Sequence, residues 1–174
     1  IVQEVRNDLQ ALDVKELTGL LEKGDALYEG NPHFGRLLIE HPALTGINRL
    51  SIFISPLSAE EIRSLKKEQD VELDALVRDM MRRKLLRRTR RQKGPLSLPD
   101  LEDIETRSGS AFEEMKNAPL FDYVIPNHDG EDSENWDAFY YPVGDARKTF
   151  LTVCDLLRNR ETAYAETFET SLFS

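Results

Sequence analysis

The sequence is poor in the residues that carry the commonest chemistries. One cysteine, Cys154, among 174 residues leaves no internal disulfide to form, and it fits a reduced, cytoplasmic setting. Cys154 falls on the apolar side of its segment and is expected to be inert core. Three histidines stand far apart at positions 33, 41 and 128, and none has the spacing of a zinc site. Ser51, Ser55 and Ser58 lie outside any G-x-S-x-G context, which removes the case for a serine nucleophile. No apolar run approaches the roughly 18 residues of a membrane span, and neither a secretory signal nor a lipidation motif is visible. The nine glycines are isolated. None builds G-x-x-x-x-G-K-[ST], the loop whose backbone N–H groups and lysine grip phosphates in P-loop enzymes.

What is present is a foldable chain with a lopsided charge. Hydrophobic residues make up 40% of it, enough for a sizeable core in one domain. Acids outnumber bases 32 to 23, a net of −9, which argues against a uniformly basic nucleic-acid binder. Residues 82–93 (RRKLLRRTRRQK) nevertheless hold eight bases and no acid, and the rest of the chain carries a net of −17. Like charges at that density repel unless anions compensate them. Two compensations are open on charge pattern alone. The arginine forks suit phosphate on a ligand, or the arm is solvated and neutralised by Asp70, Glu72, Asp74, Asp79 and 100–105. Nucleic acid is a weaker third target, because no aromatic residue interleaves with the arginines to stack bases.

Apolar periodicity predicts helix over residues 1–23, with Asp13 capping a second segment from Val14. A short strand is expected at Ala26–Glu29, and a short helix at Phe34–His41. Leu50–Ile54 (LSIFI) reads as a buried parallel strand. Ser58 and Glu61 then form a capping-box signature. A long helix is expected over Val71–Arg91, broken at Gly94-Pro95, and a second over Asp100–Asn117 opened by Ser97. Phe121–Ile125 is a further strand, and residues 128–135 (HDGEDSEN) are an acidic loop. Oxygen ligands there suit a divalent cation, but the spacing is not that of a calcium hand, so a solvated loop is expected. The last helix is predicted over Gly144–Arg160, with Phe150 and Leu157 among its inward residues. The fold class is therefore α/β, a parallel sheet flanked by helices, over a domain 1–160 with a weakly patterned tail, 161–174.

Read in order, four segments resemble the guanylate kinase-like family. They are Asp25–Glu29 followed by Gly35, LSIFISPLSAEEI at 50–62, Ile104-Glu105-Thr106-Arg107 with Ala111 and Glu114-Met115, and FDYVI at 121–125 followed by Asn127. The resemblance spans about Asp25 to Leu157 and implies a P-loop nucleoside monophosphate kinase fold with residues 66–117 as a helical, arginine-rich lid. It implies Arg107, with one of Arg88, Arg90 and Arg91, as catalytic arginines on the nucleotide phosphates. Asn127 matches the asparagine near the adenine of ATP, and Asn31 stands where the family has an aspartate that assists metal and nucleotide. ATP and magnesium are the implied cofactors, with no protein metal site. The family's phosphate loop and GMP-reading segment have no counterpart. The chain opens Ile1-Val2-Gln3 without a methionine, so an upstream segment carrying that loop is expected and this chain alone is expected to be inactive.

Three functions follow as expectations. The first is part of a guanylate kinase-like phosphotransferase, moving a phosphoryl group from ATP to a nucleoside monophosphate such as GMP. The second is a catalytically inactive module of the same kind that binds protein partners. The third is a nucleic-acid-associated accessory protein using residues 82–93. The expected ligand is a nucleotide or other phosphate-bearing small molecule, with no membrane partner.

Overall fold

The computed structural model describes residues 1–6, 8–68 and 71–174; Asp70, one of the acids expected to neutralise the basic run, lies outside them. The chain divides into two compact units, Ile1–Arg49 and Leu50–Ser174, where the sequence suggested one domain over 1–160.

The first unit begins with an antiparallel pair, β1 (Val2–Val5) and β2 (Asp8–Ala11), in the register Val2↔Ala11 to Val5↔Asp8. The pair is extended by Leu12 N–H donating to the Ile1 carbonyl and the Ile1 amine donating to the Leu12 carbonyl, both at 2.9 Å. This corrects the helix expected over 1–23. The apolar spacing is helical, but pairing between the strands overrides it, and Arg6, just after β1, adopts φ 54°. Helix α1 (Val14–Leu21) does start where Asp13 predicts, its Oδ1 accepting from Lys15 N–H at 2.8 Å. No strand forms at Ala26–Glu29: among the described residues no strand pairs with the segment, and Leu27 is 97% exposed. Helix α2 (Pro32–Glu40) buries Phe34 and Leu38 against Leu44.

The second unit is built on a parallel pair of strands, β3 (Ile52–Ser55) and β4 (Tyr123–Pro126), in register from Ile52↔Tyr123 to Ser55↔Pro126. At its start, Ser51 Oγ and N–H both donate to Asp122 Oδ2, at 2.6 and 2.8 Å, and Asp122 N–H donates back to Ser51 Oγ at 2.9 Å. Those bonds fix the register of two strands 71 residues apart in sequence. Beyond β3, α3 (Ala59–Leu65) begins with the Ser58–Glu61 capping box that its sequence announces. Helices α4 (Leu73–Lys93) and α5 (Leu98–Met115) form a helical hairpin, and Ser97 and Asp100 make a second capping box.

Helix α6 (Gly144–Leu157) is present but turned relative to expectation. It buries Ala146, Thr149, Thr152 and Leu156, while Phe150 is 51% exposed and Leu157 68%. Its phase is set from outside, by Asp129 Oδ2 accepting from Ala146 N–H at 2.6 Å. The segment 161–174 is no loose tail. Glu166 bridges Val124 in antiparallel fashion, its carboxylate accepts from Ala59 N–H at 2.8 Å, and Phe168 and Leu172 sit in the core with Phe53, Ile62 and Val77. Among the described residues the architecture is thus mixed α/β, with six α-helices and two small sheets, one of them parallel. No described helix is long and apolar enough to cross a membrane.

Candidate functional site

In parallel α/β sheets, ligands bind beyond the carboxyl ends of the strands, where backbone and loop groups converge. A cavity of about 250 Å³ lies at that end of β3 and β4, close to the lower bound of the roughly 300–1,000 Å³ typical of small-molecule sites. Ser55 and Pro56 of β3 and its exit, and Asn127 after β4, form its base; Met81, Lys84, Leu85 and Arg88 of α4 form one wall, and 130–132 another.

The wall from α4 follows from helical spacing. Val77 and Leu85 are buried, and the same stripe continued by three and four residues includes Met81, Lys84 and Arg88. Lys84 therefore enters the protein among apolar neighbours, and its Nζ donates to the Asn127 carbonyl at 3.3 Å. Burial pushes the Lys84 ammonium below the ordinary lysine range, with Asp132 pulling the other way. Arg88 Nη1 donates to Glu131 Oε2 at 2.7 Å, while its Nε is buried without a partner among the described residues. A buried donor left unmatched costs about 1–3 kcal/mol, so Arg88 has bonding capacity to spare. Ser55 Oγ is committed to the backbone of Leu57, to which it donates at 2.5 Å.

Hydrogen bonds within the acidic loop and to Asn127 hold its backbone, while Glu131 and Glu134 stay exposed. Asn127 is buried and its Oδ1 accepts from Asp129 N–H at 3.2 Å. Asp129 Oδ1 in turn accepts from Ser133 Oγ at 3.0 Å and Asn135 Nδ2 at 2.8 Å. Trp136 Nε1 donates to the Gly130 carbonyl at 2.6 Å. Gly130 has φ +63°, and a Cβ there would lie 2.9 Å from Asp132 Oδ1 and 3.2 Å from Lys84 Cδ. The Asp132 side chain is only 4% exposed; its Oδ2 lies 2.7 Å from Arg87 Nε, and its Oδ1 is buried without a hydrogen-bond partner among the described residues.

His128 fastens this loop to two helices. Its Nε2 lies 3.0 Å from both carboxylate oxygens of Glu61, at the start of α3, and its Nδ1 bonds to Asp145 at the start of α6. Burial opposes the charged ring, but the bonds to Glu61 and Asp145 outweigh it and raise the imidazole above its ordinary range. The His128 bond in turn holds Asp145 below the usual aspartate range, with Lys148 assisting.

Of the residues singled out from sequence, Arg88 and Asn127 meet at this cavity. Arg90 is exposed and makes no ion pair among the described residues, and Arg91 pairs with Asp137 at 3.2 Å. Arg107 lies on α5, 3.6 Å from Asp103 of its own helix, and does not line the cavity. Asn31 belongs to the first unit, where its side chain caps α2 by accepting from His33 N–H at 2.9 Å. The basic run is largely neutralised from within: Arg83 pairs with Asp79, Arg82 with Glu105 and Lys93 with Asp100. Arg87, Arg88 and Arg91 pair instead with Asp132, Glu131 and Asp137 of the loop after β4. Lys84 and Asp132 were expected only as members of the basic run and of the acidic loop; the signal for Lys84 is its place on the apolar stripe of α4. No described group of three His, Cys, Asp or Glu side chains could hold a metal ion. No family model, curated protein or solved structure matches the chain.

Proposed function

We propose that this chain binds nucleotide phosphates as part of a guanylate kinase-like phosphotransferase acting between ATP and a nucleoside monophosphate such as GMP. The observation that carries the reading is the cavity at the carboxyl ends of β3 and β4, where Lys84, Arg88 and Asn127 converge. Phosphoryl transfer depends mostly on positioning and charge stabilisation, which a lysine and an arginine in a partly desolvated pocket supply. Two further features support it: the two strands that carry the family resemblance are adjacent and parallel, and the arginine-rich segment lies on a helical hairpin rather than an irregular arm. The cavity suits a base or a pair of phosphates rather than a whole nucleoside triphosphate. Magnesium, implied by the resemblance, finds no group of three His, Cys, Asp or Glu ligands among the described side chains.

The inactive binding module is the second reading, favoured by Asn31, which is occupied in capping α2. Titration calorimetry of this chain with ATP, GMP and a short oligonucleotide tests both. Saturable ATP binding that weakens with salt is expected. Absence of nucleotide binding, or tighter binding of the oligonucleotide than of ATP, overturns the proposal and returns the basic segment to the other readings.

A further inference from the structure

The carboxylate of Glu131 lies on Arg88 where, on the reading above, a ligand phosphate would bind. We infer that Glu131 is a built-in competitor for the cavity: its carboxylate neutralises Arg88 in the empty site and is displaced by a phosphate-bearing ligand, so that its charge limits which anions enter. The inference rests on the cavity being a phosphate site, and it concerns the regulation of that site.

Three observations single out Glu131 among the loop acids. It lines the cavity together with the arginine it neutralises, at 2.7 Å from Nη1. Its side chain is 68% exposed whereas Asp132 beside it is 4% exposed, so Glu131 can rotate into water while Asp132 stays on Arg87. The backbone around it is also anchored independently, by Trp136 on the Gly130 carbonyl and by the bonds of Asp129 to Ser133 and Asn135. Leaving Arg88 therefore needs a side-chain rotation rather than unfolding of the loop. The contact uses one guanidinium N–H and leaves Nε unmatched. A phosphate offers more acceptor oxygens and more charge than a single carboxylate oxygen, and it can draw on Lys84 at the same time. An anion with one charge gains little over the glutamate already there. A diphosphate gains much more.

The test compares the wild-type chain with Glu131→Gln and Asp137→Asn by calorimetric titration with inorganic pyrophosphate at low salt. Both substitutions remove one negative charge from the same loop, but Asp137 pairs with Arg91 outside the cavity. Glu131 is exposed, so its substitution leaves the fold intact, which circular dichroism checks. Because exposed ion pairs are weak, Glu131→Gln is expected to bind pyrophosphate about two- to fivefold tighter than wild type, and tighter than Asp137→Asn. Equal affinity of the two variants, or no gain for Glu131→Gln, overturns the competitor role while leaving the phosphate site standing. No binding to any of the three proteins overturns the phosphate site, and the competitor with it.

Discussion

His128 Nε2 lies 3.0 Å from each carboxylate oxygen of Glu61, across 67 residues of sequence. With Asp145 on its other nitrogen, the ring can donate to both carboxylates only as the imidazolium. The folded protein therefore raises its pKa. A raised folded pKa means stability that is fully present below the ordinary value near 6.5 and lost as pH rises through the folded value. Urea unfolding at about pH 6 and about pH 8.5 should show wild type losing stability at the higher pH. The ring is substantially exposed, so the loss is expected to be at most about 1 kcal/mol. Glutamine at 128 should flatten the dependence, and an equally steep profile in His128→Gln would assign it elsewhere.

On the acid side the sign reverses. Glu61 experiences burial that raises its pKa, but the Ser58 backbone and His128 outweigh it, and the folded value falls below the ordinary one. Asp145 is also lowered. Their contribution is present above the ordinary carboxylate range and is lost as pH falls through the folded values. Glu61→Gln should therefore weaken the acid-side loss of stability between about pH 5 and pH 3, measured by unfolding midpoints.

Gly144 occupies φ +59° at the start of α6, and a Cβ there would lie 2.8 Å from Asn135 Nδ2 and 3.3 Å from Asp129 Oδ2. Gly144→Ala is expected to cost more than about 1 kcal/mol and to disturb the loop that walls the cavity. A thermal midpoint unchanged from wild type would contradict that placement.

Ile62 is fully buried among Phe53, Val77, Met115 and Phe168. Its replacement by alanine should cost about 2–5 kcal/mol in denaturant unfolding. A loss below about 1 kcal/mol would mean that this cluster is not the core of the second unit.

Local signals in the sequence foretold much of this second unit. The run LSIFI, the S-x-x-E at Ser58 and the S-x-x-D at Ser97 each need only near neighbours to act, and β3, α3 and α5 appear where they point. The hairpin at the N-terminus was hidden because Val2, Val5, Leu9 and Leu12 keep helical spacing and show none of the alternation that marks a strand. The phase of α6 was hidden because Asp129, outside the helix, sets it. Of the two expected residues that line the cavity, Arg88 was one of three arginines left open by the sequence, and Asn127 was named only by resemblance. Lys84 was concealed in a run of eight bases, and only its place on the stripe through Val77, Met81 and Leu85 marks it as the one that turns inward. The ion pairs of Arg87, Arg88 and Arg91 bridge more than 40 residues of sequence, beyond the reach of any pattern read along a helix.

Titration of ATP into wild type, Arg88→Ala and Arg83→Ala asks whether the cavity beside β3 and β4 holds nucleotide phosphate. Arg83 is a comparable charge on the same helix, 74% exposed and paired with Asp79 away from the cavity. Saturable binding is expected of wild type, with a loss of roughly tenfold or more in Arg88→Ala and little change in Arg83→Ala. Failure of wild type to bind, or equal losses in the two variants, would contradict a phosphate site in the cavity.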